Sequence, residues 1–187
     1  MHDNLDIQVS DLPTYVATFT FLREGGLTLM MHRNKRPDDF LYGKFLPPGG
    51  KIRMNESPNE CAQREFFEET NLRLGLPLNY LGKVFFNNSK RNFQGRPATF
   101  HYLVHIFEAT SYSGSLDTKK DPKGTPVWVP NARLKTLPIE RGDHLLLDLF
   151  EAGLKINHHI VLTDESFTSY DLTDALITRL KLVYVTD

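Results

Sequence analysis

The chain has 187 residues, with 22 Lys and Arg side chains against 23 Asp and Glu, a formal net charge of −1. This length suits one domain with its own core and is short for two. The balanced charge excludes a general attraction to nucleic acid or to an anionic membrane, so any anion must be bound locally. The single cysteine, Cys61, excludes an intrachain disulfide and suits a reducing cytoplasm.

The N-terminal residues 1–11 do not have the pattern of a secretory signal. They carry Asp3, Asp6 and Asp11 and lack a basic stretch followed by an apolar one. No apolar run in the chain reaches the roughly 18 residues of a membrane span. We therefore expect a cytoplasmic protein that binds neither a membrane nor a nucleic-acid polymer.

A hairpin is predicted near the N-terminus. Two β-prone runs, Tyr15–Leu22 and Leu27–His32, flank Arg23-Glu24-Gly25-Gly26, whose glycines allow the positive φ of a tight turn. The stretch from Arg33 to Gly50 is basic and then rich in Pro and Gly, so it is predicted to be mainly loop.

A helix is predicted from Pro58 to Thr70. Ser57 is a suitable N-cap, Pro58 suits the first helical position, and Glu60 completes a capping box. Asn71 falls where a left-handed C-terminal cap is expected, and Asn is the second choice there after Gly.

The rest of the chain alternates between strand-like and helical patterns. Strands are predicted at Tyr80–Asn87, Ala98–Ala109 and Val127–Val129, a helix at Arg141–Glu151, a hairpin of His158–Thr163 and Phe167–Asp171 around Asp164, a weak helix at Leu172–Leu180 and a strand at Leu182–Val185. No repeat or long linker divides the chain. We expect one domain over residues 1–187, with a core at about 14–153 and an extension at 154–187.

Three acidic residues of the first helix predict a metal site. Glu65 and Glu69 lie one turn apart and Glu68 is three residues from Glu65, so their carboxylates are expected to converge on one face. Such crowding is unfavourable without a cation, and oxygen ligands suit Mg²⁺ or Mn²⁺. Either ion can bind diphosphate oxygens and lower the pKa of a bound water, so metal-assisted hydrolysis is predicted. The alternative is an ordinary solvated face of a Glu-rich helix.

Neighbouring residues favour the metal site over that alternative. Arg64 can pair with Glu56 and lock the preceding glycine-rich loop to the helix. The other side of the helix carries the apolar anchors Cys61, Ala62, Phe66 and Phe67. Cys61 is interpreted as buried filler and not as a nucleophile.

The same segment carries a recognisable motif. Gly50, Glu56 and the run Arg64-Glu65-Phe66-Phe67-Glu68-Glu69-Thr70-Asn71-Leu72 stand at defined spacing. They resemble the Nudix box, G-x5-E-x7-R-E-U-x-E-E-x-G-U, where U is a bulky apolar residue. Only the final glycine of the motif is replaced, by Asn71, and asparagine also tolerates the left-handed conformation of a helix C-cap. The resemblance implies the α+β Nudix fold, a mixed β-sheet sandwiched between α-helices.

Further matching segments lie within Thr14–Phe150. They are His32–Pro37, Gly43–Phe45, Pro48–Lys51, Trp128–Pro130, Leu137–Ile139 and Gly142-Asp143. They look like the MutT-like branch of the family, which removes oxidised nucleoside triphosphates such as 8-oxo-dGTP. In that branch water attacks a phosphorus of the diphosphate link and releases a nucleoside monophosphate and pyrophosphate.

The resemblance also implies roles for individual residues. The metal ligands would be Glu65, Glu68, Glu69 and the carbonyl of Gly50, with Mg²⁺ or Mn²⁺ as the ion. Glu56 would pair with Arg64, both as part of the catalytic set. Arg33, Arg36 and Lys51 would face the phosphates. Phe45 is a candidate to stack on a base, although aromatic residues at strand spacing are more often core.

The departures from the family pattern leave two roles open. Many relatives place another acid in the loop before the Trp-Val-Pro strand, and Asp121 is the candidate here, with Glu65 or Glu68 as the alternative base. Asp121 could instead simply open an Asp-Pro turn. Leu46 stands where some oxidised-guanine hydrolases carry an amide, so guanine recognition is not supported at that position.

Three functions remain to be separated. The leading one is a nucleoside triphosphate pyrophosphohydrolase, with 8-oxo-dGTP as one candidate substrate. The second is a Nudix enzyme for another diphosphate, such as a nucleoside diphosphate sugar or dihydroneopterin triphosphate. The third is a catalytically silent Nudix-like module that senses a nucleotide.

The residues after Asn157 could cap the pocket or pair with a second subunit in a homodimer.

Overall fold

A computed structural model describes residues 11–93, 96–163 and 165–186. The expected hairpin turn at Asp164 and the N-terminal residues 1–10 lie outside these ranges. The strands are β1 (Pro13–Glu24), β2 (Leu27–His32), β3 (Phe45–Leu46), β4 (Arg73–Leu74), β5 (Asn79–Lys90), β6 (Asn92–Phe93), β7 (Arg96–Pro97), β8 (His101–Ala109), β9 (Tyr112–Ser113), β10 (Thr125–Pro130), β11 (Ile156–Thr163), β12 (Phe167–Asp171) and β13 (Lys181–Val183). The helices are α1 (Pro58–Thr70), α2 (Arg141–Glu151) and α3 (Asp174–Ile177), and a 3-10 helix covers Asn131–Thr136.

The centre of the fold is a mixed sheet. Its strands follow the order β10-β2-β1-β8-β5-β11-β12, with β3 beside β2 and β13 beside β1. Parallel pairs join β1 to β8, β1 to β13 and β5 to β11, whereas β5 and β8 run antiparallel. Successive side chains of β1 point to opposite faces. Phe21 packs in the core cluster that includes α2, and Leu22 packs in the cluster that includes α1. The α+β sandwich expected from the sequence is therefore confirmed.

One edge of β1 is divided between three partners. Its first residues pair with β13, and its last two, Arg23 and Glu24, pair with β2. Between them the loop 48–52 bonds to the strand: the N–H groups of Thr18 and Thr20 donate to the carbonyls of Gly50 and Pro48, each at 2.9 Å. The glycine-rich loop is thus held by the sheet itself.

Several predicted boundaries are corrected. The strand predicted from Ala98 begins at His101, because the N–H of Ala98 donates to Arg91 O at 2.9 Å and closes the β6–β7 hairpin instead. The loop from Arg33 to Gly50 contains the short strand β3. The weak helix predicted at Leu172–Leu180 is reduced to α3, because the N–H of Leu172 donates to the carbonyl of Asn157 in β11.

The described part of the chain contains no helix of the length and apolarity needed to cross a membrane.

Candidate active site

Helix α1 begins and ends where its sequence predicts. The hydroxyl of Ser57 accepts a bond from the N–H of Glu60, and the Glu60 carboxylate accepts one from the N–H of Ser57 at 2.8 Å. Asn71 adopts the left-handed conformation, with φ of 66°. The ammonium of Lys120 lies over the Phe67 ring and donates to Phe67 O and to Asn71 Oδ1. Both ends of the helix are therefore fixed.

The apolar side of α1 anchors the helix to the sheet. Cys61, Ala62 and Phe66 are fully buried. Burial raises the pKa of the Cys61 thiol to about 12, which disfavours the thiolate needed for nucleophilic attack. The burial expected of Cys61 is confirmed.

Arg64 joins the acids of the helix to the loop before it. Its Nε and Nη2 donate to the two oxygens of Glu56, at 2.6 and 2.8 Å. Its Nη1 donates to Glu65 at 2.6 Å and to Glu68 at 3.2 Å, and Nη2 reaches Lys51 O at 3.2 Å. Burial alone would raise the pKa of Glu56, but bonds from Arg64 and from the N–H of Arg53 hold it below its usual value.

Glu69 is the most enclosed of the three helix acids. It is 7% exposed, and its Oε2 accepts the N–H of Gly49 at 2.9 Å. Burial raises the pKa of Glu69 to about 8, although the bond from Gly49 opposes the rise. The charges of Asp121 and Glu65 raise this pKa further. Glu69 thus lies within electrostatic range of both Asp121 and Glu65.

Asp121 is a buried acid and not only a turn residue. It is 5% exposed, and its Oδ2 has no hydrogen-bond partner among the described residues. The ammonium of Lys35 donates to the carbonyl of Asp121 at 2.7 Å and holds the loop in place. A buried carboxylate oxygen without a partner is costly unless a ligand or ion completes it.

The two glycines of the loop allow the sheet, the loop and α1 to meet. A Cβ on Gly49 would lie 1.9 Å from Thr18 O, and one on Gly50 would lie 2.3 Å from Cδ of Glu65. The carbonyl of Gly50 accepts the N–H of Thr18 and a longer contact from the Cys61 thiol. A carbonyl has a second lone pair, so this bond leaves room for another partner.

The three helix acids differ in their surroundings. Glu69 is buried against Gly49, Glu65 packs on Gly50, and Glu68 remains exposed beside Arg64. Among the described residues, no group of three or more His, Cys, Asp or Glu side chains is close enough to hold a metal ion. The convergence of the three carboxylates expected from the sequence is therefore not found: Arg64 bonds to Glu65 and Glu68, whereas Glu69 accepts the N–H of Gly49.

A cavity of about 580 Å³ opens beside this set. Gly50 and Glu65 line it together with the predicted phosphate contacts Arg33 and Lys51. Arg33 is paired with Asp39, another lining residue. The ammonium of Lys51 lies 3.4 Å from the centroid of the Tyr15 ring. Burial lowers the pKa of Lys51, and the charge of Lys123, also in the lining, lowers it further.

Two residues expected to bind substrate lie elsewhere. Arg36 is exposed, pairs with Asp38 at 3.0 Å, and does not line this cavity. Phe45 does not line it either, because β3 pairs with β2 and places its ring in a stack on His32, with centroids 4.3 Å apart.

The cavity is also lined by two acids for which the sequence suggested no role. Asp143 and Glu140 line it, with Asn88 and Arg91. Burial raises the pKa of Asp143 to about 7, and the charge of Glu140 raises it further while Arg91 opposes the rise. Arg91 donates to Glu140 at 2.9 Å. Gly142-Asp143 belongs to a matching segment, but an acid in the first turn of a helix is common and carries no further signal.

Comparison with known proteins agrees with this architecture. Residues 12–150 match the model of the NUDIX domain family. YvcI, an uncharacterized Nudix hydrolase of Bacillus subtilis (strain 168), is 28% identical over 116 residues, which are 62% of this chain and 70% of that protein.

Solved structures show the same fold at low sequence identity. The MutT protein from Bacillus halodurans is similar with a TM-score of 0.68 and 19% identity, over 83% of this chain and 97% of that one. The Nudix domain of Shewanella oneidensis NrtR, complexed with ADP ribose, is similar with a TM-score of 0.58 and 17% identity, over 75% of this chain and 88% of that one.

The fold and the matched family define a hydrolase that acts on pyrophosphate bonds. The chain belongs to the Nudix family, whose members generally use a divalent metal such as Mg²⁺.

Proposed function

We propose that this chain is a Mg²⁺-dependent pyrophosphohydrolase that cleaves a nucleoside triphosphate to a nucleoside monophosphate and pyrophosphate. The observation that carries the proposal is that Glu65 and Gly50 line the same cavity as Lys51 and Lys123. Its volume of about 580 Å³ falls within the range of roughly 300 to 1,000 Å³ usual for small-molecule sites. A phosphate chain held by the lysines would therefore lie beside the acids of α1.

The lysine pair supports an anionic ligand. The positive charge of Lys123 disfavours the charged form of Lys51, and burial disfavours it more. A triphosphate between the two ammonium groups would replace this repulsion with attraction on both sides. Arg33, paired with Asp39, lies in the same lining and adds a third cation.

The donors around α1 suit a hard divalent cation. Asp121 Oδ2 is buried without a partner among the described residues, and its charge acts on the buried Glu69, so a cation near the two acids would stabilise both. Glu65, Glu68, Glu69 and the carbonyl of Gly50 would hold the ion, and the three carboxylates would have to turn toward one another to do so. When bound, Mg²⁺ withdraws charge from the phosphates and lowers the pKa of water.

The protein groups then have separate tasks. Arg64 orients Glu65 and Glu68, and Glu56 in turn fixes the guanidinium of Arg64. Asp121 is the proposed base, because its Oδ2 has no described partner and can accept a proton from the attacking water. Glu65 or Glu68 is the alternative base.

Several residues of the cavity could contact the base of the nucleotide, and the identity of the base is left to the assay below. Phe40 and Tyr102 offer aromatic surface in the cavity, and Asn88 and Asp143 offer polar groups. Leu46, also in the lining, has no polar group to read a guanine edge. We include 8-oxo-dGTP as a candidate oxidised substrate and cytoplasmic nucleotide-pool sanitisation as the role that it would imply.

The test is a product assay on a panel of ATP, GTP, dGTP, 8-oxo-dGTP and ADP-ribose. With Mg²⁺ we expect at least one triphosphate to yield its monophosphate and pyrophosphate, and EDTA to abolish the reaction. Preferred turnover of ADP-ribose would instead assign a nucleoside diphosphate sugar as the substrate. Binding across the panel without turnover would contradict the proposal.

A matched pair of variants tests the role of the helix. Glu69→Gln should lower kcat by about a hundredfold or more and leave the fold intact. Glu60→Gln removes an acid from the same helix but keeps the capping oxygen, so it should retain activity. An unchanged kcat in Glu69→Gln would refute Glu69 as a metal ligand.

A further inference from the structure

The segment Lys181–Thr186 lies beyond the matched family region and runs beside the glycine-rich loop. Its strand β13 pairs with the first residues of β1. Two residues later, the N–H of Val185 donates to Ile52 O at 3.1 Å, and the carbonyl of Val185 accepts the N–H of Met54 at 2.8 Å. The segment therefore continues the pairing of the sheet onto the loop that carries Lys51 and Arg53.

Val185 and Thr186 form part of the cavity wall. They line it together with Gly50, Arg53 and Glu65. Gly50 touches the Glu65 carboxylate, and Val185 is bonded two residues further along the same loop. Val185 therefore lies beside the loop that packs against the Glu65 carboxylate at Gly50. Because two backbone hydrogen bonds fix Val185, its position is set by the sheet.

We propose that Val185 and Thr186 limit the size of the group attached to the substrate's diphosphate. A free terminal phosphate is small, whereas a sugar joined to the diphosphate needs more space beside Glu65. The wall would reject the larger group by steric conflict, a common source of specificity. This inference rests on the proposed function and predicts a preference for triphosphates over nucleoside diphosphate sugars.

The test compares ATP with ADP-ribose, which share adenosine diphosphate and differ in what is attached to it. The double variant Val185→Gly and Thr186→Gly should raise the ratio of kcat/KM for ADP-ribose over ATP by about tenfold. Thr186→Phe, which fills the space, should lower that ratio. Tyr184→Gly is the matched control, since Tyr184 is 43% exposed and does not line the cavity. It should leave the ratio unchanged.

Amide exchange at Met54 separates loss of the wall from loss of the backbone pairing. If exchange at Met54 quickens in the double glycine variant, the alanine pair Val185→Ala and Thr186→Ala replaces it. Suppose that the parent chain cleaves triphosphates and that Met54 stays protected in the widened variant. If the ratio of kcat/KM for ADP-ribose over ATP is then unchanged, this inference is overturned and the proposed function still stands. A parent chain that cleaves no triphosphate would overturn the proposed function and this inference with it.

Discussion

Lys51 and Arg36 were both expected to face phosphates, and their surroundings now separate them. Lys51 lies in the cavity over the Tyr15 ring, whereas Arg36 is exposed and paired with Asp38. We predict that Lys51→Gln raises KM for the triphosphate about tenfold with a smaller change in kcat, because binding of the ground state and the transition state is weakened alike. Steady-state kinetics with saturating Mg²⁺ would measure both constants.

Arg36→Gln provides the control for that experiment. Removing an exposed ion pair outside the cavity should change KM by no more than about twofold. Equal effects of the two substitutions would show that the phosphates do not lie beside Lys51.

His159 makes stability depend on pH. It is 1% exposed, and burial, followed by the charge of His101, lowers its pKa from 6.5 to about 4. The side-chain amide of Asn87 lies 3.4 Å from its Nε2, and the rings of Phe85 and Tyr170 face it. The unfolded chain therefore takes up the proton first. The stabilisation is complete above about pH 6.5 and is lost as the pH falls toward 4.

We accordingly predict that His159 contributes less to the urea midpoint at pH 5 than at pH 7.5, whereas the raised pKa values of Glu69 and Asp143 act in the opposite direction. His159→Gln should therefore raise the midpoint at pH 5 relative to the midpoint at pH 7.5, compared with the parent chain. Burial also lowers the pKa of His105 to about 4, so His105 contributes in the same direction. If the midpoints at pH 5 and pH 7.5 differed by the same amount in the variant and in the parent chain, His159 would be excluded as a source of the pH dependence.

The residues that could be found from sequence share one element. Glu56, Arg64, Glu65 and Glu69 are related by the fixed period of a helix and the short loop before it, so their spacing is informative. The cavity acid Asp143 could not be found in this way. Asp143 belongs to α2, whereas Asn88 lies near the C-terminal end of β5 and Arg91 follows that strand. Only tertiary packing brings the three residues into one cavity lining.

At the scale of the element, the end of α1 tests how the chain replaces the glycine of the Nudix box. Asn71 is left-handed, and its side chain bonds to Lys120 and to Ser115 O. Asn71→Ala should lower the free energy of unfolding by about 1 kcal/mol, because alanine tolerates this conformation poorly. Asn71→Gly should stay within about 0.5 kcal/mol of the parent, since the relief of backbone strain offsets the lost side-chain bonds. Urea unfolding would measure both.

Activity provides the second readout for Asn71. Asn71 stands two residues after Glu69, and its side chain bonds to Lys120, next to Asp121. We therefore expect kcat to fall in the alanine variant, which strains the end of α1, and to change less in the glycine variant, which keeps the left-handed cap. Equal stability of the alanine and glycine variants would contradict the importance of the left-handed cap.

Elements were predictable where local chemistry sets their ends. The bounds of α1 follow from Ser57, Pro58 and Asn71, which act within one turn of the helix. The start of β8 does not follow from neighbouring residues. The hydrogen bond from the N–H of Ala98 to Arg91 O depends on the pairing of β6 with β7 in the preceding hairpin. Strand ends set by distant pairing carry no local signal.

At the scale of the whole molecule, the residues after the matched family region complete the sheet. β11 pairs in parallel with β5, and Ile156, Ile160 and Leu162 belong to the main core cluster. The core expected from sequence at about 14–153 therefore packs against the extension through an unbroken apolar surface. Each such buried side chain contributes about 1.5 to 3 kcal/mol. The three together are comparable with the stability of a whole domain, about 5 to 15 kcal/mol.

We predict that a chain ending at Gly153 loses cooperative unfolding, because it exposes the edge of β5 and the apolar face beneath α2. Thermal melts followed by near-ultraviolet circular dichroism, with a dye that binds exposed apolar surface, would detect the change. A chain ending at Leu180 is the matched control: it keeps β11 and β12 and loses only the segment beside the glycine-rich loop, so it should still melt cooperatively. If the shorter chain also melted cooperatively near the parent midpoint, the extension would be an accessory to the fold and not part of its core.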